Sequence, residues 1–529
     1  MTVRSLASGF AAFLGLASCS PAVPSRSDAV GGGASSGTTS GGGKSAGGAS
    51  SNGASAGATA SGGASSAGAP AGGATASSAG TSAGGANSAG ASSGGSSPAD
   101  PALGGAGSGG AVAAIAKPRV INTTDLGGDP DDQQSLVRVM VTANEFDLEG
   151  LIVVTSCWKK TQSNTAMLDT IVNAYGKALP NLNVHAAGYP TLEYLQSISK
   201  LGQTGYGMAD VGAGKDSPGS ELIIAAADRP DPRPLWLNLW GGGNTLAQAL
   251  WKVKNGRTAE QVTHFVSKLR VYDVLGQDET GAWMAKTFPE LFYIRATGVY
   301  GWQPSDSWLA TNIQSKGALG AVYPTRQYDT EGDSPSFMHQ YPNGLHDPEK
   351  LDQGGWGGRF ETTKKSGIRG MSPVTGEAQY DAYQMFANTS EGANAISRWS
   401  AGIDGDFQAR MDWSIKSKFA DANHHPIAVV NNDATKQVLQ VSAAAGSTVA
   451  LDATGSTDPD GNALVYGWSF FMESSSYAGS VAIQNGSTAS ASVTIPAAAS
   501  GKSMHLILEL HDNGTPNLYA YRRVIINVQ

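Results

Sequence analysis

Between residues 116 and 425 the chain alternates short apolar runs with stretches whose apolar residues recur every three or four positions. Arg119-Val120-Ile121-Asn122 is a strand-like run, Leu136, Val137, Met140 and Val141 then share one helical face, and residues 148–154 are strand-like again. That order is a βαβ unit. Further strand-like runs are centred on Asn183-Val184-His185-Ala186, Leu235-Trp236-Leu237-Asn238-Leu239 and Leu269-Arg270-Val271-Tyr272, with helices predicted over residues 244–253 and 258–266. Repetition of the unit predicts an α/β domain, a mostly parallel sheet flanked by helices. Ligands of such sheets sit beyond the carboxyl ends of the strands.

From residue 426 to 529 the pattern shifts to short alternating segments broken by turn residues: 447–451, 463–471, 481–485, 491–495 and 504–511. Regular short strands predict an all-β sandwich. Its opening, Asp452 to Asn462 with Trp468 beyond, resembles PKD-type and related immunoglobulin-like modules. The Asp458-Pro459-Asp460-Gly461 turn reads first as a plain turn and second as a calcium loop.

The first 115 residues carry neither period. Arg4, an apolar run from Leu6 to Leu16 and then Leu16-Ala17-Ser18-Cys19 have the layout of a secretory signal, too short for a membrane span. The ending resembles a bacterial lipobox, so residues 1–19 are expected to be a lipoprotein signal peptide with lipid on Cys19. Ser20 in the next position fits outer-membrane sorting, and a lipid-anchored protein at the outer membrane or surface of a Gram-negative cell is expected. Residues 20–115, mostly Gly, Ser and Ala, bury too little apolar surface to offset chain entropy and are expected to act as a disordered tether reaching roughly 50 Å.

Composition changes this picture in two places. A net charge of −8 over 529 residues, without a basic block, argues against a nucleic-acid partner. Of two cysteines, a lipidated Cys19 leaves Cys157 unpaired, which predicts a buried structural thiol and no intramolecular disulfide.

The candidate chemistry lies directly after the first strand. Asp125, Asp129, Asp131 and Asp132 crowd into eight residues, Asp125 to Asp132. Such a set repels itself unless water screens it or a cation gathers it, and carboxylates are hard ligands suited to calcium or magnesium. A solvated Asp-rich turn remains the other reading. Asp131 and Asp132 also open a helix, where carboxylates cap free N–H groups, but capping does not account for Asp125 and Asp129. Trp158, Trp302, Trp308 and Trp356 lie in or near stretches rich in Gly, Pro or Ser. Their indoles suit the apolar faces of sugar rings.

The Asp cluster after a first strand resembles the metal loop of calcium-dependent nucleoside hydrolases. Together with Gly202-Gln203-Thr204-Gly205-Tyr206-Gly207-Met208-Ala209-Asp210, Glu331-Gly332-Asp333-Ser334-Pro335-Ser336-Phe337 and Gly354-Gly355-Trp356-Gly357-Gly358-Arg359-Phe360, it resembles a bacterial family labelled cellulose-binding proteins, with a nucleoside-hydrolase-like domain and a C-terminal immunoglobulin-like domain. The resemblance implies calcium ligation by Asp125, Asp132, the carbonyl of Asn244 in Gly242-Gly243-Asn244-Thr245, and Asp347 of His346-Asp347-Pro348. It implies Asp125 as the base and His346 near the leaving group. Sugar hydroxyls would fall to Asp131, and sugar faces to Trp158, Trp302 and Trp356. The interval from Asp125 to the Asp131–Asp132 pair is two residues longer than in those hydrolases, so Asp129 competes as a ligand. Val154-Thr155-Ser156-Cys157-Trp158 lacks their Gly-Asn, which weighs against a nucleoside substrate.

The leading expectation is therefore a surface-anchored hydrolase of N- or O-glycosyl bonds with a calcium-organised Asp site acting on a carbohydrate or glycoside. The alternative is a non-catalytic cellulose- or carbohydrate-binding lipoprotein on the same fold. A third reading makes the metal a structural staple and the sandwich an adhesion module.

Overall fold

The computed structural model describes residues 116–529; the expected signal peptide, Cys19 and the tether lie outside them. Eight strands form one sheet: β1 (Arg119–Thr124), β2 (Asp147–Val153), β3 (Ser199–Leu201), β4 (Leu235–Leu239), β5 (Leu269–Val274), β6 (Phe292–Ala296), β7 (Lys365–Ser366) and β8 (Gln384–Ala387). Their order is β3-β2-β1-β4-β5-β6-β8-β7, and all pairs are parallel except β7 with β8. The β-branched run of β1 is buried along its length, as a central parallel strand requires. The helices that position the site are α1 (Asp131–Thr142), α2 (Ala166–His185), α3 (Leu192–Ile198), α4 (Pro218–Asp228), α5 (Asn244–Gly256), α6 (Ala259–Ser267) and α7 (Thr280–Thr287).

The two-residue period of the strands sorts side chains to the two faces. Leu235, Leu237 and Leu239 of β4 pack into the core with α4 to α7, whereas Trp236 and the following Trp240 pack with α1 to α3. From β1 the chain moves outward to β2 and β3, then crosses back to β4 on the other side of β1. That reversal opens a crevice at the carboxyl ends of β1 and β4, the usual ligand position in such sheets.

One expected strand is a helix. Residues 183–186 close α2 because Leu168, Ile171, Val172, Tyr175, Ala178 and Leu182 form one continuous buried stripe. Pro180 sits on the exposed side of that helix and does not end it.

The C-terminal part holds two sheets, β10-β13-β12 and β11-β14-β15-β9, from β9 (Leu439–Ala443), β10 (Thr448–Asp452), β11 (Leu464–Phe470), β12 (Ile483–Gln484), β13 (Ser490–Thr494), β14 (Ser503–Asp512) and β15 (Tyr519–Val528). Leu451, Trp468, Val493, Leu506 and Val524 fill the space between them. This sandwich is docked on the α/β domain: the Tyr521 and Arg523 N–H groups donate to the Asn343 and Gly344 carbonyls at 3.3 and 3.1 Å. Phe471, Ile507 and Tyr521 join the same apolar core as Trp356 and Trp399.

Candidate metal and glycan site

The loop from Asp125 to Pro130 leaves the carboxyl end of β1 and turns at once, the Gly128 N–H donating to the Asp125 carbonyl at 2.9 Å. Lys159 Nζ and Gln162 Nε2 donate to the Leu126 carbonyl at 2.7 and 3.2 Å, which fixes the loop against the segment after β2. The turn delivers Asp129, then Asp131 and Asp132 in the first turn of α1, with one oxygen of each of these three within 4.8 Å of the others. The Asp132 N–H donates to Asp131 Oδ1 at 3.0 Å, so Asp131 satisfies one free N–H of the first turn from inside the helix, and no side chain caps it from Pro130. Thr124 donates its hydroxyl to Asp132 Oδ1.

Asp125 and Asp333 complete the set. Both line the same narrow pocket as the trio, along with Tyr300, Gln277, Leu275, Trp158 and Met371. Gly332 permits this approach: a Cβ there would stand 2.7 Å from Asp131 Oδ2 and 2.3 Å from the Tyr300 ring. The Tyr300 hydroxyl lies 3.4 Å from Asp131 Oδ2. Leu275, which lines the pocket, and Glu331, two residues before Asp333, hold left-handed backbone with φ of 64° and 49°, uncommon for residues with side chains and typical of sites where geometry outranks local comfort.

The electrostatics are one-sided. No basic residue lines the pocket. Burial raises the Asp125 carboxyl to about 6, with Asp129 adding to the rise and the Ser156 hydroxyl opposing it. Burial and neighbouring carboxylates push Asp131, Asp132 and Asp333 well above the ordinary range. Asp333 Oδ2 is buried with no hydrogen-bond partner. Buried carboxylates at this spacing must share protons or a cation. An all-oxygen anionic set with an unsatisfied oxygen aimed inward fits a hard divalent ion such as calcium or magnesium.

Several expected site residues are elsewhere. Asp347 and His346 line a cavity with Lys117, Arg119, Pro234 and Trp236, at the amino ends of β1 and β4, so the six residues of β1, about 20 Å at the usual rise, separate them from the Asp cluster. Asp347 Oδ1 accepts from the Glu349 N–H at 3.0 Å, and His346 packs on His339 at 5.1 Å between ring centroids. Asn244 begins α5 and commits its side chain to Thr155 Oγ1 and the Gly205 carbonyl at 3.2 and 2.7 Å; it does not line the pocket. Gly241 approaches instead, a Cβ there being 2.9 Å from the Asp125 Cβ. Trp302 and Trp356 are 4% and 2% exposed. The first faces Arg138 and the second stacks on Tyr341, so neither offers a face to a sugar. Trp158, at 55%, does, and its Nε1 meets Met371 Sδ at 3.4 Å across the pocket mouth. Cys157 is a buried free thiol, and burial pushes it up to about 12.

Asp333 reaches the pocket from a distant turn, and its neighbour Glu331 does not. Glu331 is consumed by structure: it is fully buried, bound to Arg138 and to the Tyr323 and Ser334 hydroxyls.

Residues 119–360 match the family described as cellulose-binding Sde182, nucleoside hydrolase-like domain, and residues 448–528 match the C-terminal domain of cellulose-binding protein Sde0182. A solved structure of a nucleoside hydrolase-related hypothetical protein from Saccharophagus degradans, associated with carbohydrate metabolism, is 61% identical; the alignment covers 78% of this chain and 100% of that one, with a TM-score of 0.76. The effector protein XOO4466 is 10% identical over 57% of this chain and 94% of its own, with a TM-score of 0.32, a likeness too slight to bear on this chain. No curated protein matches significantly.

Proposed function

The chain belongs to the family of cellulose-binding proteins built on a nucleoside-hydrolase-like domain, and on that premise we propose that it hydrolyses a glycosyl bond of a carbohydrate ligand at the Asp pocket. The observation that carries the reading is the convergence of Asp125, Asp129, Asp131, Asp132 and Asp333 in one pocket without a matching base. A set of this kind is needless for stacking on sugar and suits an ion with a water beside it.

In this reading Asp129, Asp131, Asp132 and Asp333 would hold a divalent ion, calcium for preference. The ion when bound offsets their mutual repulsion and makes a neighbouring water more acidic. Asp125, which burial holds above the ordinary carboxylate range, accepts the proton from that water as it attacks the anomeric carbon. Asp131 also orients ring hydroxyls, and Trp158 covers the apolar face of the sugar. The bond from the anomeric carbon to the leaving group breaks through an oxocarbenium-like transition state, favoured by the surrounding carboxylates, and the leaving group takes its proton from solvent at the pocket mouth while Asp125 returns its own to bulk water. The Leu16-Ala17-Ser18-Cys19 sequence supports lipid attachment at Cys19 and work at the surface of the cell.

A second reading, carbohydrate binding without turnover, is favoured by one observation. The cavity among the carboxylates measures only about 30 Å³, room for an ion and its water, against roughly 300–1,000 Å³ for ordinary ligand pockets. Metal analysis of the purified protein, joined to a screen of nitrophenyl glycosides and nucleosides, separates the two. Calcium-dependent turnover that is lost in Asp125→Asn and retained in Asp347→Ala supports hydrolysis. Bound metal with no turnover, and undiminished cellulose retention in Asp125→Asn, supports binding alone.

A further inference from the structure

Three groups from distant parts of the chain meet where the sandwich abuts the α/β domain. His185 closes α2, His424 lies in the segment entering the sandwich, and Asp460 sits between β10 and β11. His185 Nε2 is 2.8 Å from the Lys416 carbonyl, His185 Nδ1 is 3.0 Å from His424 Nε2, and His424 Nδ1 is 3.0 Å from Asp460 Oδ1. The rings are 6% and 4% exposed, stacked among Trp413 and Phe419.

Proton counting makes this row unusual. A carbonyl only accepts, so His185 Nε2 must carry hydrogen. The Asp460 carboxylate likewise accepts from His424 Nδ1. The nitrogen pair between the rings needs one hydrogen and tolerates only one. Three hydrogens on two imidazoles is one more than two neutral rings possess. The row is complete only when the pair carries one positive charge. With no extra proton two lone pairs confront each other at 3.0 Å; with two extra protons, two N–H groups do.

The surroundings select that state. Burial and His424 push His185 down, against the pull of Asp421 and Asp460, and the one carboxylate in the row stands 3.0 Å from His424 Nδ1, which sets the counter-charge at that end of the pair. The other charged groups facing this cavity are largely occupied with one another. Arg410 pairs with Asp406 and Glu145 at 2.8 Å each, His425 meets Asp406 at 2.9 Å, Lys436 lies 3.9 Å from Glu145, and Arg522 is 2.9 Å from Asp433.

We infer that His185, His424 and Asp460 form a one-proton latch, which closes the 414–426 segment and the sandwich onto the α/β domain in mildly acidic solution and loosens when that proton leaves or a second arrives. The latch stands apart from the Asp pocket and holds whether or not that pocket is catalytic.

The test uses the full chain labelled with ¹⁵N-histidine, together with hydrogen exchange of residues 414–426 corrected for the intrinsic pH dependence. At pH 6 one ring of the pair is expected to bear hydrogen on both nitrogens and its neighbour on one. Exchange across 414–426 is expected to rise at least five-fold from pH 6 to pH 8.5. His185→Phe keeps the stack but removes the bond that needs the proton, and should flatten that rise to under two-fold. Asp460→Asn should give fast exchange already at pH 6. Two neutral rings at pH 6, or the same pH profile in the parent and in His185→Phe, would overturn the inference. If His185→Phe does not fold, the proton count on the unaltered chain decides.

Discussion

Both ends of the parallel sheet bury carboxylates, and they treat them in opposite ways. At the amino end the buried Glu149 is matched, with Arg119 Nε 2.7 Å away, and the more exposed Asp147, Asp231 and Glu349 around it pair with Arg233 at 2.6 Å each and with Arg270 at 3.0 Å. At the carboxyl end Asp125, Asp131, Asp132 and Asp333 are buried with no basic residue lining their pocket. The contrast also runs within one turn, where Glu331 is paired with Arg138 and Asp333 is not. A matched buried carboxylate secures the fold, whereas an unmatched one makes sense when something else supplies the charge.

The strongest way to break this contrast is to remove the unmatched groups. Asp125→Asn is expected to lower kcat on a glycoside substrate by roughly 10²–10⁴-fold, the usual contribution of a general base, while Asp347→Ala at the other end leaves kcat unchanged; parallel initial-rate assays decide. Next comes stability. Glu331→Ala strands the Arg138 charge and should cost about 3–5 kcal/mol in denaturant unfolding. Asp333→Asn, two residues on, should make the chelated protein more stable, because it removes a repelling charge. Equal losses in both would erase the distinction.

A smaller effect links pH to the ion. The raised carboxyl of Asp125, at about 6 when folded against 3.8 unfolded, gives a stabilising contribution that is complete below 3.8 and lost as pH rises through 6. The chelated protein therefore forfeits stability between about pH 4 and 6, and the gain in melting temperature on adding calcium should widen over that interval. A gain that does not change with pH would count against ion binding by these carboxylates. Smallest of all, Trp158→Ala should shift stability by no more than about 0.5 kcal/mol, as for other exposed positions, yet weaken retention on cellulose measurably in a pull-down.

The βαβ order, the Asp loop and its place at a strand end were legible because they lie within one short continuous stretch, where period and turn chemistry are local. Asp333 was harder. It comes from a distant turn, and its neighbour Glu331 has the same chemistry; only the tertiary fold sends one to Arg138 and the other to the pocket. His346-Asp347 misled because a two-residue motif says nothing about which end of the sheet its loop reaches. Trp302 and Trp356 misled because Gly-rich surroundings suggest an exposed loop, whereas these loops are packed, and Trp356 lies against Tyr341 and Tyr521 where the two domains join. The misread 183–186 run was too short for periodicity to choose between helix and strand.

The described chain enters at Ala116, beside Pro118 and Pro234, at the amino end of β1. Force applied from upstream therefore acts on the molecule from the side opposite its carboxylate pocket. A pull along the chain meets the arginine-stapled end of the sheet before it can distort the carboxylate pocket.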